Sequence, residues 1–390
     1  MPSRRNTVLV QGCLPGESNP IDITIHKGHV DSVVPAVSRK PDFGSRTSVI
    51  GPTLFDIQVN GAFGVDIQGR AVTPGDVARL TQLLAAQGVS RWIPTLITAP
   101  REYLIHGCTV IAEAMRDPAI ARAIPGIHLE GPYISPVDGP RGAHPREHVR
   151  HPDLREFDAL MQAVDGYIAY ITVAPEVKGA IEFICHITAR GIRAALGHHN
   201  ASAELIGQAV DAGASLCTHL GNGIGAQINR HINPIWPQLA DDRLTACLIA
   251  DLDHLPPHAL KSFIRAKGPR NVILTSDAVH IAGQAPGHYE LMGSPVELLP
   301  SGRICLSGTE LLAGSSLMLL RGVVNAANTG GMSLKQAFAC ASDIPARRFG
   351  LPRRPFPPRT GQKADFLVFE HSPQARPLAV FIDGAHIPQT

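Results

Sequence analysis

The sequence has little charge, and what it has is nearly balanced. Lys, Arg, Asp and Glu make up 17% of the 390 residues, 35 basic against 33 acidic, for a net charge of +2. Ordinary soluble chains carry about 25% charged residues. So small an imbalance removes any global electrostatic pull toward nucleic acid or an anionic membrane, and neither is expected as a partner. No apolar run approaches the ~18 residues of a spanning helix. The start is equally bare: Arg4 and Arg5 are followed only by Thr7-Val-Leu-Val10, too short for the apolar core of a signal peptide. The 7 cysteines are odd in number and scattered, with no Cys-x-x-Cys pair, so neither a disulfide framework nor a Cys-type zinc site is suggested. Apolar residues, at 44%, suffice for a large core and rule out wholesale disorder. The expectation is a soluble protein of a reducing, cytoplasmic compartment.

The length exceeds one ordinary domain, but a parallel α/β barrel takes about 250 residues as a single unit and leaves room for a small accessory domain. The first fifty residues read as short β-segments at 7–10, 21–25 and 30–34, separated by Gly and Pro turns. From Gly51-Pro52 the texture changes. Continuous apolar runs recur at 53–59, 91–97, 126–129, 169–173, 193–196, 215–218, 244–250 and 272–275. Such runs suit strands buried on both faces. Helix signals lie between them: Asn200 or Ser202 can cap a helix whose face is Leu205, Ile206, Ala209 and Val210, ended by Gly213. Eight βα units predict an α/β fold, a (β/α)8 TIM-like barrel over residues 51–356. After the Pro-rich stretch 352–358, β-texture returns at 364–369 and 378–382. The two chain ends, 1–50 and 357–390, are expected to pair into a small β-sandwich domain.

Ionisable residues fall at the ends of the predicted strands: Glu130, His198 with His199, His219, and Asp277. In a barrel, all such ends converge on one mouth. Two imidazoles and one carboxylate with a position left for water make a catalytic rather than a structural zinc shell. A separate carboxylate can then move the proton, and Asp277 is the natural candidate. Taken singly, His198 is as readily a satisfied core histidine, and Asp277 as readily a helix cap. A buried Glu130 is harder to explain without a cation or donors. Four such residues at the same end of four strands favour a site.

The same residues carry a resemblance. His128-Leu-Glu-Gly-Pro-Tyr133, Gly197-His-His-Asn-Ala201, Thr218-His-Leu-Gly-Asn222 and Ser276-Asp-Ala278 resemble, in order, the motifs of the N-acetylglucosamine-6-phosphate deacetylases, a family of the amidohydrolase superfamily. Gly361-Gln-Lys-Ala-Asp365 is similar to the superfamily's return into its small β-domain. The resemblance implies one divalent metal ion (zinc first, iron or another ion as alternatives) held by Glu130, His198 and His219, with Asp277 as acid/base. Where many superfamily members have a His-x-His pair for a second metal, this chain has Gln58-Val-Asn60, as some members of the deacetylase family do. Gln and Asn amides are poor zinc ligands. A carbamylated lysine on the fourth strand is also absent, since 169–176 contains no Lys.

On the substrate side, the resemblance places His144 near the acetamide carbonyl, as oxyanion donor. Arg230 and His254 match contacts to the sugar phosphate, the arginine reaching over from a neighbouring subunit of a homodimer or homotetramer. Asn222 and Gly223 offer amide donors beside that phosphate, and Ala313 lies in the loop near the acyl group. Without the resemblance, His144 reads as an exposed loop histidine, and Arg230 and His254 as surface groups. Three departures stand out: His199 where the family often has Ser, Gly221 for a common aromatic, and Leu252-Asp253 in a usually Gly-containing approach to His254. The expected activity is deacetylation of N-acetylglucosamine 6-phosphate to glucosamine 6-phosphate and acetate. The alternatives are an amidohydrolase for another N-acyl amino sugar or cyclic amide, and a non-catalytic sugar-phosphate-binding barrel.

Overall fold

The structure is a computed structural model that describes residues 7–291 and 293–389; Arg4 and Arg5 lie outside them. Four strands come first, β1 (Thr7–Cys13), β2 (Ile21–His26), β3 (His29–Pro35) and β4 (Phe43–Gly51). The barrel begins with β5 (Leu54–Val59), interrupted by a ribbon of β6 (Gly61–Ala62) and β7 (Val65–Asp66). It resumes with β8 (Val89–Ile97), β9 (Ile127–Glu130), β10 (Ile168–Val173), β11 (Arg193–Leu196), β12 (Ala214–Cys217), β13 (Thr245–Ile249) and β14 (Val272–Thr275). An antiparallel insertion follows, β15 (Gly287–Leu291), β16 (Ser294–Leu298) and β17 (Ile304–Leu306). The chain closes with β18 (Phe366–Phe369), β19 (Pro377–Ile382) and β20 (Ala385–Ile387).

All eight apolar runs are strands of one parallel sheet, in the order β14-β13-β12-β11-β10-β9-β8-β5. Every residue of β5, β9, β13 and β14 is buried, which is why these strands read as unbroken apolar runs and not as alternation. The seam between first and last strands closes at the mouth: the Asp277 amide donates to the Gln58 carbonyl at 3.0 Å, and the Asn60 amide to the Ala278 carbonyl at 2.7 Å. Helices cover the outside. The one at Ala203–Asp211 is capped by Ser202, whose Oγ accepts from the Leu205 amide, and it buries Ile206, Ala209 and Val210.

The chain ends build one seven-stranded sheet, β20-β19-β18-β4-β1-β2-β3, in which β18 pairs antiparallel with β4. Its apolar core, with Val10, Ile23, Ile50, Phe366 and Phe381, is separate from that of the barrel. The insertion β15–β17 went unread in the sequence. Its strands are short, β15 has no buried residue and β16 and β17 are buried only in part, so no continuous apolar run marks them. No helix of the described residues is long and apolar enough to cross a membrane.

Candidate active site

Glu130, His198, His219 and Asp277 line one cavity of about 460 Å³ at the C-terminal mouth of the barrel. Glu130 ends β9, while His198, His219 and Asp277 each sit two residues beyond their strands. These three share a left-handed backbone, with φ of 54°, 27° and 53°. For residues with a Cβ such conformations cost about 1–3 kcal/mol each and persist only where the surroundings fix them. Asn60, His144, Asn222, Gly223, His254 and Ala313 line the same cavity.

Two imidazoles meet on a single oxygen. His219 Nε2 lies 2.9 Å and His198 Nε2 3.2 Å from Glu130 Oε1. Burial would raise the Glu130 carboxyl, but the imidazoles against it outweigh burial and hold it well below the ordinary carboxylate range. On the other side of His198, Nδ1 is 2.9 Å from the Pro140 carbonyl, which can only accept, so Nδ1 carries a proton and Nε2 is the atom turned toward the cavity. Glycine permits the close packing here: a Cβ at Gly223, where φ is +60°, would stand 2.9 Å from His198 Nδ1.

His144, far from an exposed loop residue, is 5% exposed. Its Nδ1 is 2.9 Å from Thr98 Oγ1 and its Nε2 3.1 Å from His198 Nε2. Burial first, then His198, push its imidazole well below the ordinary value, so it is neutral. The donor atoms of Glu130, His144 and His198 lie within 4.8 Å of one another. An anionic carboxylate oxygen with several imidazole nitrogens turned toward it is the donor chemistry that holds a divalent cation. The donor set therefore fits a divalent metal.

Asp277 is held by two amides: Gln58 Nε2 donates to its Oδ1 at 3.0 Å and Asn60 Nδ2 at 2.8 Å. Burial and the nearby Glu130 charge push its carboxyl up to about 7. His254 Nδ1 lies 2.6 Å from Asp251 Oδ2; burial alone would depress the imidazole, but Asp251 outweighs it and raises it. Arg230 is exposed and does not line the cavity of its own chain. His199 is buried behind the cavity, and its Nδ1 accepts from the Ala201 amide at 3.3 Å. At Gly221, φ is +95° and a Cβ would meet Phe263 at 2.8 Å, which leaves no room for an aromatic side chain. The sequence reading missed Asp66, Gln68, His280, Arg303 and Glu310, all in the cavity wall. They lie off the main barrel strands, on the ribbon, after Asp277 and in the insertion, where strand-end spacing gives no signal.

A parallel (β/α)8 barrel with these carboxylates and imidazoles gathered at its C-terminal mouth defines a metal-dependent hydrolase. The amidohydrolase family model matches residues 49–386. The chain is 33% identical over 353 residues to an N-acetylglucosamine-6-phosphate deacetylase of Homo sapiens, covering 88% of this chain and 84% of that one. It is 32% identical over 300 residues to an N-acetylgalactosamine-6-phosphate deacetylase of Escherichia coli, covering 77% and 78%. Among solved structures, a mutant N-acetyl-D-glucosamine-6-phosphate deacetylase of Mycobacterium smegmatis, in complex with N-acetyl-D-glucosamine-6-phosphate, superimposes with a TM-score of 0.84 at 28% identity, over 98% of this chain and 99% of that one. This chain belongs to the N-acetylglucosamine-6-phosphate deacetylase family of the amidohydrolases.

Proposed function

We propose that the protein hydrolyses the acetamide of N-acetylglucosamine 6-phosphate, giving glucosamine 6-phosphate and acetate. The observation that carries this reading is the convergence of His198 and His219 on Glu130 Oε1, with Asp277 in the same cavity. A binding barrel needs neither a cation site nor a buried carboxylate poised near neutrality. The E. coli relative named for the galactosamine epimer favours a second reading of the same chemistry, with the 4-epimer as substrate.

Glu130, His198 and His219 would hold one divalent ion, zinc by preference. When bound, the ion polarises the amide carbonyl and makes water acidic enough to attack near pH 7. Asp277 takes the proton from the attacking water and delivers it to the leaving amine as the C–N bond breaks. The contact of His144 Nδ1 with Thr98 Oγ1 holds the imidazole with Nε2 toward the cavity, where in its Nε2–H tautomer it donates to the carbonyl oxygen as that atom gains charge. Gln58 and Asn60 donate to Asp277 where a His-x-His pair would stand, and their amide oxygens are poor ligands for a second zinc ion. His254, Asn222 and Gly223 receive the phosphate, and the Ala313 loop lies close to the acetyl group. Arg230 acts in the neighbouring subunit of a homodimer: it is exposed, and the apolar Ile232 and Trp236 beside it are 80% and 51% exposed, as a contact surface between copies would be. Seven free cysteines suit a reducing cytoplasm. The test is acetate release from N-acetylglucosamine 6-phosphate that is lost on chelation and returns with one equivalent of zinc. Release indifferent to a chelator that strips the ion rejects the reading.

A further inference from the structure

At the end of the barrel opposite the mouth, a second cavity of about 320 Å³ is lined by Arg270, Asn271, Ile344, Arg347 and Arg348. Three of these five residues are cations and none is an anion. Arg270 and Asn271 belong to the turn that leads directly into β14, the strand whose far end carries Asp277. The facing wall is the helix Asp343–Arg348, which presents Ile344, Arg347 and Arg348 at spacings of three and four. A fourth arginine stands beside them. Arg193, the first residue of β11, places its guanidinium carbon 4.9 Å from the centre of the Phe349 ring, and a Cβ at Gly350 would stand 3.9 Å from its Nη2.

Little answers these charges. None of the four arginines enters an ion pair among the described residues. Arg348 Nη2 donates to Asn271 Oδ1 at 2.7 Å, a neutral acceptor that ties the two walls together. Burial first, then the Arg347 charge, lower the Arg348 guanidinium from its ordinary range. The last turn of a helix favours basic side chains, which accounts for Arg347 and Arg348 but not for Arg270 and Arg193, brought to them from other elements. Cations crowded round a concave surface repel one another and focus a positive potential into it, and a bound anion relieves that repulsion. We infer that this cavity is an oxyanion site at the base of the barrel: it takes a phosphate group, free or as the end of a small phosphate ester, between Arg270 on one wall and Arg347 and Arg348 on the other. Guanidinium forks match phosphate oxygens two at a time. Ile344, 4% exposed, gives the site an apolar floor, beside which charge-assisted bonds are less screened than in open water. The site neither contributes to the proposed reaction nor depends on it.

The test is protection of these arginines from phenylglyoxal, read peptide by peptide by mass spectrometry on the zinc-loaded protein, so that the base is scored apart from Arg303 in the mouth cavity. The probes are inorganic phosphate and, for the ester, ribose 5-phosphate. At least one should slow the modification of Arg270 and Arg347 saturably and with a shared midpoint. The probe that protects at the lower concentration identifies the source of the phosphate. Chloride at equal ionic strength should not protect, since it screens a diffuse patch without filling a site. Arg347→Ala should raise the concentration that half-protects Arg270 roughly 10- to 100-fold, the range of a lost charge-assisted pair. Arg347→Lys, which keeps the charge but not the fork, should lie in between, and both variants should leave acetate release unchanged. Protection by neither probe, protection by chloride as strong as by phosphate, or a midpoint unmoved in Arg347→Ala overturns the inference.

Discussion

Asn60 Nδ2 lies 2.8 Å from Asp277 Oδ1, a hydrogen bond across the seam between the first and last barrel strands. The bond fixes the carboxyl over the cavity, and Asn60 stands where a second-metal histidine would, with an amide that is a poor zinc ligand. Asp277→Asn keeps the volume and removes the proton carrier. Turnover should fall roughly 10²-fold or more, with metal content unchanged. Near-normal turnover in that variant would move the acid/base role to another residue.

The same arrangement limits the metal. Elemental analysis should find about one divalent ion per chain. His198→Asn and His219→Asn should lose it, while His144→Asn should keep it and lose turnover, by about 10²-fold for a missing oxyanion donor. If His144→Asn sheds the ion and His219→Asn retains it, the shell is the tighter Glu130–His144–His198 group. Two ions per chain, with the second lost in Asn60→Ala, would contradict the one-metal account.

Arg230 tests the assembly. Arg230→Ala should lower kcat/KM on the phosphorylated substrate roughly 10- to 100-fold, the range of a lost charge-assisted pair. Mixed oligomers of Asp277→Asn and Arg230→Ala chains should regain activity through hybrid sites. No recovery under verified subunit exchange would mean that each chain uses its own arginine.

His254 gives phosphate binding a pH dependence of definite sign. Its imidazole is buried, which alone would favour the neutral form, but Asp251, Asp277 and Asp253 together raise it above the ordinary 6.5. The cationic form is therefore complete below about pH 6.5 and is lost as pH rises through the elevated value. A sugar phosphate, with a second pKa near 6, is mostly dianionic above about pH 7, so its phosphate charge is not the cause of a weakening there, and the comparison with Asp251→Asn separates His254 from the ligand's amine. Inhibition by glucosamine 6-phosphate should weaken on the alkaline side, and Asp251→Asn should move that loss to lower pH. An identical profile in the variant would remove His254⁺ from the phosphate site.

Much of this was legible in the sequence, for a physical reason. Strands buried on both faces leave unbroken apolar runs, and each run from 53–59 to 272–275 became a barrel strand. Their ends point into one mouth, so Glu130, His198, His219 and Asp277 were readable as a group. The environment of His144 was not, because only the fold brings Thr98 and His198 against a loop residue. Nor was the insertion β15–β17, whose strands are too short to leave a continuous apolar run and whose place in the cavity wall only the fold supplies.

One panel identifies the substrate directly: acetate release by the zinc-loaded protein from N-acetylglucosamine, N-acetylgalactosamine and their 6-phosphates. A phosphate held by charge-assisted bonds predicts that kcat/KM is greater for a 6-phosphate than for its parent sugar by at least about 10²-fold, with one acetate released per amine formed. Equal or better hydrolysis of the unphosphorylated sugars, or no acetate from any of the four, would contradict the account.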